Sequence, residues 1–321
     1  MSASEAAAIN ALLRQRLRGR PSRLYAAAAH LIEHGGKRFR PYMLIKSCQA
    51  LGGKKSDAMP AATAIEMIHN FTLLHDDIMD NDSIRHGVPT VHKKFGVPVA
   101  ILAGDVLFSK AYQVISGPRV PEKRAARLTS RLAAACVDVC EGQLYDMDMA
   151  EGAKLPTRSE YIMMIGKKTA SLFGAACAMG AICSGADEKD ARRFAAFGTG
   201  LGVAFQITDD LIGITGDPKV TKKPVGNDIR EGKKSLPVLM ALKKARGKDR
   251  AAIRAAFGNA RATSVQLRAA VSAVKSLGIE DDVRREAGSY AKKASSALDR
   301  YPGRHRDDLL SLLDCVVWRR L

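Results

Sequence analysis

The spacing of apolar and polar positions along this chain is mostly that of amphipathic helices. The segment MPAATAIEMIHNFTLLHDDIMD places apolar residues at Ile65, Ile68, Leu73 and Leu74, and Pro60 suits the first position of a helix. Sustained alternation of apolar and polar residues, the pattern of half-buried strands, appears nowhere. Turn-forming stretches such as LGGKKSD, SGPRVPEK and CSGADEKD interrupt the helical pattern, but none is long enough to link two domains. We therefore predict a single all-helical domain over residues 1–321, with roughly ten or more helices.

Composition supports a helical protein of a reduced compartment. Hydrophobic residues make up 46 % of the 321 residues and aromatic ones only 5 %, so the core consists mainly of Ala, Leu, Ile, Val and Met. The six cysteines include no CxxC pair, which does not suit a disulfide framework. The N-terminal segment lacks a signal-peptide pattern, and TASLFGAACAMGAICSG is short for a membrane span and predicts a buried helix. We expect a soluble, cytoplasmic protein.

The net charge of +18 is concentrated towards the two ends of the chain. Nucleic-acid binding is one reading, but the basic residues lack interleaved aromatics and a recognisable binding motif. A solvated basic face, or peripheral contact with an anionic membrane, is the simpler explanation of the charge. We expect no nucleic-acid partner.

The segment FTLLHDDIMDNDSIRHG crowds four aspartates at the end of an apolar helix. In a helix Asp76 and Asp80 lie on one face, and His69 lies about two turns earlier on the same face. Such like charges repel by a few tenths of a kcal/mol per exposed pair, and a solvated helix end does not explain the apolar residues around them. A divalent cation does, and carboxylate oxygens that also hold a substrate phosphate are typical of Mg²⁺.

A second acidic pair, Asp209 and Asp210, follows another apolar helix, with Gln206 three positions before it. Two such helices can face one another. Several cations and one hydroxyl could bind a diphosphate: Lys37, Arg40, Arg85, Lys168 with Thr169, Lys223 and Lys233. Each is a weak signal alone, but together with two acidic helices they indicate a metal and diphosphate site.

Seven segments, in this order, resemble motifs of the polyprenyl synthetase family of trans-isoprenyl diphosphate synthases: GGKRFRP, IHNFTLLHDDIMD, LAGDVL, EGQLYD, GKKTASLF, FQITDD and KPVGNDIREGKKS. The resemblance covers nearly the whole chain and is closest to the archaeal-type geranylgeranyl diphosphate synthases. It implies an all-α isoprenoid synthase fold, a homodimer, and two acidic motifs on facing helices of a central cavity. It also implies Mg²⁺-dependent, head-to-tail condensation of isopentenyl diphosphate with dimethylallyl, geranyl or farnesyl diphosphate.

The resemblance assigns roles to individual residues. The metal ligands would be Asp76, Asp80, Asp209 and Asp210, and Arg85, Lys168 and Lys233 would stabilise the departing diphosphate. Isopentenyl diphosphate would be bound by Lys37, Arg40 and His69. The allylic side would be assisted by Gln206, Thr169 and Lys223, and the cavity lined by Gln143 and Asp146. Released diphosphate is the expected base, since no side chain is marked as a dedicated one.

Three positions depart from the family pattern. His86 stands where a second arginine is common, so its contact with isopentenyl diphosphate would be weaker and pH-dependent. Gly213 replaces the last aspartate of the second acidic motif, with Asp217 farther along. Lys222 replaces a frequent glycine before Lys223, which we expect to matter little.

Product length in this family depends on residues just before the first acidic motif. The bulky Phe71 lies five positions before Asp76, with the small Thr72 at position four, which resembles synthases of the twenty-carbon product. An ideal helix, however, directs Phe71 roughly 140° away from Asp76. We therefore predict geranylgeranyl diphosphate as product, with farnesyl or longer polyprenyl diphosphates as alternatives. A terpene cyclase would need no isopentenyl diphosphate site, and a noncatalytic subunit would be expected to lose metal ligands.

Overall fold

The computed structural model describes residues 3–216 and 226–318, and nearly all their regular structure is helical. The helices are α1 (Ala3–Arg16), α2 (Ser22–His34), α3 (Phe39–Ala50), α4 (Lys55–Met79), α5 (Val91–Phe95), α6 (Val97–Ile115), α7 (Glu122–Glu151), α8 (Arg158–Ile165), α9 (Ser171–Ser184), α10 (Glu188–Thr215), α11 (Asn227–Arg230), α12 (Leu236–Lys244), α13 (Gly247–Ala256), α14 (Ser264–Ser276), α15 (Ile279–Ser296) and α16 (Arg304–Trp318). A π-helical turn, Gly166–Ala170, connects α8 to α9. The prediction of an all-helical protein is confirmed.

Two local features differ from the sequence pattern. Helix α4 begins at Lys55, so Pro60 lies inside its second turn and not at its first position. At that position proline removes one intrahelical hydrogen bond, which the amide of residue 60 would otherwise donate to the carbonyl of residue 56. A short antiparallel hairpin of β1 (Ile84–Arg85) and β2 (Val88–Pro89) follows α4. Strands of two residues are too short to give an alternating pattern.

The chain divides into two compact units, and unit 1 comprises Met1–Val137, Leu172–Gly198 and Arg300–Leu309. In it α4 packs against α3 and α6, and α2 also packs against α6. Small residues permit close approach: a Cβ added to Gly180 of α9 would lie 2.2 Å from the Leu44 carbonyl of α3. Every residue of α9 from Leu172 to Cys183 is buried. The predicted buried helix in TASLFGAACAMGAICSG is therefore confirmed.

Helix α6 has an apolar surface that unit 1 covers only in part. Among the described helices, it alone is long and apolar enough to span a membrane by length and composition, and 39 % of it is buried. Ile101 and Leu102 are 43 % and 53 % exposed, and Val137 of α7 is 58 % exposed. Exposed apolar groups of this kind indicate an interaction surface.

Unit 2 comprises Asp138–Ser171, Thr199–Asp299 and Leu310–Leu321. Its core contains buried apolar side chains from α8, α10, α12 and the following helices, including Tyr161, Leu211 and Val274. Helix α13 packs against α14. Thr157 starts α8 and Thr263 starts α14 through capping boxes, in which threonine and a side chain three residues later satisfy each other's backbone amides. These caps place the helix starts directly after turn-forming sequence.

Candidate active site

The last turn of α4 carries the first acidic cluster, within unit 1. Asp76 and Asp80 are one turn apart, since the Asp80 amide donates a hydrogen bond to the Asp76 carbonyl at 2.8 Å. Asp80 ends the helix and is exposed, Asp76 is half-buried, and Asp77 is buried. The carbonyl end of a helix carries partial negative charge, which adds to the repulsion among these carboxylates. A cation is needed to offset that charge.

Arg85 supplies part of the positive charge from the hairpin. Its Nε donates to Asp77 Oδ1 at 2.5 Å, and its Nη2 lies 3.8 Å from Asp76 Oδ2 and 3.4 Å from Asp82 Oδ2. Burial raises the pKa of Asp77 to about 6, although Arg85 opposes this shift. One guanidinium therefore faces three carboxylates, and the cluster keeps an excess of negative charge.

The donor set at this helix end fits a hard divalent cation. Asp76 and Asp80 offer carboxylate oxygens, the ligands that Mg²⁺ prefers. In the described part of the chain, no three His, Cys, Asp or Glu side chains group into a metal-binding cluster. Protein sites for Mg²⁺ commonly use one or two carboxylates and complete the shell with phosphate oxygens and water. The residues present therefore fit a metal held jointly with a diphosphate.

The predicted isopentenyl side also belongs to unit 1. The guanidinium of Arg40, in the first turn of α3, lies 4.3 Å from the centre of the Phe173 ring, and Lys37 is exposed in the preceding loop. Burial, followed by the charges of Arg40 and Arg85, lowers the pKa of His69 well below its usual value. His69 is thus a neutral hydrogen-bonding group near the two cations Arg40 and Arg85.

Arg38 holds the loop that presents Lys37, a role that the sequence analysis missed. Its backbone is left-handed, with φ of 52°, and its guanidinium is buried. Nη1 donates to Glu66 Oε1 at 2.8 Å, Nη2 to the Ile32 carbonyl at 2.6 Å and Nε to Asn10 Oδ1 at 2.8 Å. The only signal in the sequence was its place inside GGKRFRP.

His86 occupies the two-residue turn of the hairpin. His86 and Gly87 have φ of 52° and 79°, as tight hairpin turns require. The His86 ring packs onto the backbone of Gly35, where an added Cβ would lie 2.8 Å from Nδ1. Burial and the neighbouring Arg85 lower its pKa, so the ring is mostly neutral at neutral pH. The residue that departs from the family pattern thus lies beside the loop of Lys37.

Phe71 faces α6, in agreement with the direction expected from an ideal helix. Its ring centre lies 5.3 Å from that of Phe108 and 4.7 Å from that of His75. Tyr112 continues the row, 5.0 Å from Phe108. The Thr72 hydroxyl donates to the His69 carbonyl at 2.8 Å. An aromatic stack therefore lies beside α4, one turn and more before the acidic cluster.

Unit 2 contains the second acidic pair, and its two aspartates differ in environment. Asp209 is exposed, whereas Asp210 is 2 % exposed. Asp210 Oδ2 accepts from the Tyr161 hydroxyl at 2.6 Å, and its Oδ1 accepts from Gln206 Nε2 at 2.9 Å and from Lys233 Nζ at 3.0 Å. Both Asp210 oxygens thus hold neighbouring side chains, a geometry that favours positioning over metal binding. Tyr161 was not identified from the sequence.

The remaining predicted allylic residues extend this network. Thr169 donates to Gln206 Oε1 at 2.9 Å, and Lys168 Nζ donates to Asp146 Oδ2 at 2.6 Å. Gln143 is buried, and its Nε2 has no hydrogen-bond partner among the described residues. Lys223, like Asp217 and Lys222, lies outside the described residues.

Asp228 supplies a carboxylate where the second acidic motif has glycine. A Cβ added to Gly213 would lie 2.2 Å from Asp228 Oδ2, and Lys233 Nζ lies 3.8 Å from the same oxygen. The missing aspartate side chain at position 213 therefore leaves the space that Asp228 fills. Asp228 was also missed, because sequence reasoning considered only the lysines of KPVGNDIREGKKS.

Known proteins match almost the whole chain. The family model described as Polyprenyl synthetase matches residues 21–274. A geranylgeranyl pyrophosphate synthase of Geoglobus acetivorans is 40 % identical, covering 93 % of this chain and 92 % of its own. A geranylfarnesyl diphosphate synthase of Aeropyrum pernix is 39 % identical, with coverage of 93 % and 95 %.

Solved structures agree with the fold. The geranylgeranyl pyrophosphate synthetase of Pyrococcus horikoshii matches with a TM-score of 0.92 at 37 % identity, over 99 % of this chain and 97 % of its own. The geranylgeranyl pyrophosphate synthase of Corynebacterium glutamicum, complexed with isoprenyl diphosphate and magnesium, matches with a TM-score of 0.88 at 27 % identity, over 99 % of each chain. The all-α fold of the isoprenyl diphosphate synthases is thus confirmed. The chain belongs to the polyprenyl synthetase family.

Proposed function

We propose that this protein is a prenyltransferase that condenses isopentenyl diphosphate head to tail with allylic diphosphates and releases diphosphate, with geranylgeranyl diphosphate as its product. The observation that supports this most directly is a pair of acidic helix segments, each accompanied by its own cations. Asp76 lies beside Arg85, with Asp80 one turn farther along α4, and Asp210 lies beside Lys233. Such sets are suited to a substrate that develops negative charge on a diphosphate.

Ionisation of the allylic carbon–oxygen bond is the step that these residues would promote. Lys168 and Lys233 would transfer part of their hydrogen bonding from Asp146 and Asp210 to the departing diphosphate. Thr169 and Gln206, already bonded to one another, would position its oxygens. Mg²⁺ at an acidic segment, held by Asp76 and Asp80 in unit 1 or by Asp209 in unit 2, would supply positive charge that neutralises a diphosphate. The Asp210 network would keep Lys233 and Gln206 in place.

Isopentenyl diphosphate would bind to residues of unit 1, at Lys37, Arg40 and His69. Burial lowers the pKa of Arg40 to about 10, so its guanidinium is still charged at neutral pH. The neutral His69 would donate or accept one hydrogen bond and add no charge. The double bond of this substrate then attacks the allylic cation, and released diphosphate accepts the final proton.

Incubation with Mg²⁺, isopentenyl diphosphate and labelled dimethylallyl, geranyl or farnesyl diphosphate, followed by chromatography, tests the function. We expect a twenty-carbon diphosphate. Farnesyl or longer products would correct the chain length, cyclised hydrocarbon would indicate a terpene cyclase, and no turnover would contradict the proposal.

The His86→Arg variant is expected to lower the apparent KM for isopentenyl diphosphate roughly three- to tenfold, the scale of the net contribution of one solvent-exposed hydrogen bond. A permanent cation would replace a mostly neutral ring beside the Lys37 loop. His86→Asn, which also suits a left-handed turn, controls for backbone effects. Steady-state kinetics with each substrate varied in turn measures the effect, and Lys37→Ala should move the same KM upwards. An unchanged KM would place His86 outside the subsite.

Product length is expected to depend on Phe71. Phe71→Ala opens space beside Phe108 and should yield chains longer than twenty carbons, whereas Thr72→Phe should yield shorter ones. Phe95→Ala, a half-buried aromatic of α5 that contacts His30, serves as the matched control. Identical products from wild type and both variants would show that Phe71 and Thr72 do not limit the length of the product. The two named relatives differ in product at nearly equal identity, so identity alone does not decide chain length.

We propose a homodimer in which a second copy covers the exposed apolar face of α6. The fraction of α6 left unburied in one chain supports a protein partner of the same apolar character. Light scattering should give twice the mass of 34.5 kDa, and Leu102→Glu should shift it towards one chain. A wild-type protein of single-chain mass at assay concentration would contradict the dimer.

Three further assignments stay predictions. We propose that residues 1–321 act as one polyprenyl synthetase domain, which the coverage of the relatives supports. A cytoplasmic location agrees with the sequence composition. Peripheral contact with an anionic membrane would suit α12–α14. Residues 243–275 carry nine exposed lysines and arginines and a single acidic residue, Asp249.

A further inference from the structure

Two pairs of adjacent lysines contact the part of α7 that belongs to unit 2. In each pair one lysine reaches a carboxylate of the proposed site, Lys168 to Asp146 and Lys233 to Asp210. The other lysine binds α7 away from that site. We call these two, Lys167 and Lys234, the anchor lysines.

Lys167 ties the π-helical turn to α7. Its Nζ donates to Asp138 Oδ1 at 2.8 Å and to Glu141 Oε2 at 2.5 Å. The backbones also meet, because a Cβ added to Gly142 would lie 2.1 Å from the Lys168 amide nitrogen. A π-helical turn is a local departure from α-helical bonding that needs tertiary support. Lys167 and the Gly142 contact provide that support at and directly before Lys168.

Lys234 ties the segment after α11 to the end of the same helix. Its Nζ donates to the Met149 carbonyl at 2.5 Å and also to the Gly152 carbonyl. Carbonyls at the C-terminal end of a helix lack intrahelical donors and carry partial negative charge. A lysine there supplies both a hydrogen-bond donor and a positive charge. Residues 233–235 lie outside any helix, and the two adjacent side chains diverge, Lys233 to Asp210 and Lys234 to α7.

We propose that Lys167 and Lys234 are positioning residues for the allylic diphosphate, because they fix to α7 the backbone segments that carry Lys168 and Lys233 before substrate binds. This inference rests on the proposed function. Lys168 and Lys233 have long, flexible side chains that Asp146 and Asp210 hold, and a backbone fixed in advance keeps each pair aligned and lowers the entropic cost of binding. The anchors touch neither substrate, and they act through their neighbours in the chain.

A long-range charge effect is the competing explanation, since any lysine near the site attracts diphosphate. The carboxylates that hold Lys167 separate the two explanations. Asp138→Asn combined with Glu141→Gln removes the anchor and keeps the lysine. Loss of positioning weakens allylic binding, whereas removal of two negative charges strengthens it.

The experiment measures KM for both substrates in full-length protein. Lys167→Met, Lys234→Met and the double carboxylate variant are each expected to raise the KM for the allylic diphosphate roughly tenfold, below the hundredfold that a 1 Å misplacement can cost. The KM for isopentenyl diphosphate should stay within about twofold of the wild-type value, well below the tenfold change expected for the allylic substrate. Lys167→Arg should restore wild-type values, because arginine can bridge both carboxylates. Lys275→Met, an exposed lysine of α14, is the matched control.

Hydrogen exchange gives a readout independent of activity. Lys167→Met should speed exchange in peptides covering the π-helical turn and leave those of α4 unchanged. The inference would be overturned if Lys167→Met changed neither the exchange of the π-helical turn nor the KM for the allylic diphosphate. Tighter allylic binding in the double carboxylate variant would also overturn it. If the wild type makes no prenyl product, the proposed function fails, and an unaltered π-helical turn in the exchange data would separately overturn the anchoring. Should Lys234→Met fail to fold, the Lys167 series still decides the outcome.

Discussion

Asp76→Ala and Asp80→Ala are each expected to lower turnover at least 10²–10³-fold, about the effect of removing a key group that stabilises transition-state charge. Each change would remove an oxygen ligand of the metal that neutralises the departing diphosphate. The expected effect on stability has the opposite sign. The two carboxylates repel one another at the negative end of α4, so the melting temperature should be unchanged or slightly higher.

The matched control is Asp57→Ala, an exposed aspartate in the first turn of the same helix. There a carboxylate is favourable, and its loss should cost about 0.3–1 kcal/mol of stability and leave turnover unchanged. Activity and melting temperature of the three variants are measured together. Normal turnover in Asp76→Ala or Asp80→Ala would remove the metal assignment, and a large loss of stability would show that these residues serve packing instead.

Removal of divalent metal is expected to abolish condensation, and addition of Mg²⁺ should restore it. Without a metal ion, the carboxylates of the α4 end, three of which face Arg85, would repel the incoming diphosphate. Circular dichroism should stay the same, because the cores of both units consist of apolar side chains.

A chelator control with excess Mg²⁺ separates metal removal from direct inhibition. Isothermal titration of diphosphate into the metal-free protein supplies a second measurement, and binding should weaken by at least tenfold relative to the Mg²⁺ form. Full turnover in a sample verified to be metal-free would contradict the mechanism proposed for both acidic segments.

Local pattern determined the parts of this protein that depend on neighbouring residues in the chain. The helical class, the burial of α9 and the pairing of Asp76 with Asp80 on one face all follow from a period of 3.6 residues and the identity of the side chains. The ordered motifs led to the family, since several of them combine residue types that bind metal or diphosphate. Element boundaries were less secure, as the start of α4 before Pro60 shows.

Other features depend on residues far apart in the chain. Tyr161 and Asp210 are 49 positions apart, and Lys234 and Met149 are 85 apart. No local periodicity encodes such pairs, because they form only when packing brings two helices to a specific distance and rotation. The same holds for Asp228, which lies in the space left by Gly213 of another helix. The sequence by itself determined which chemical groups this protein possesses and on which helices they lie. The tertiary structure decided which of the two aspartates on α10 is buried among hydrogen-bond donors and which lysines are held by α7, because burial and pairing depend on long-range packing.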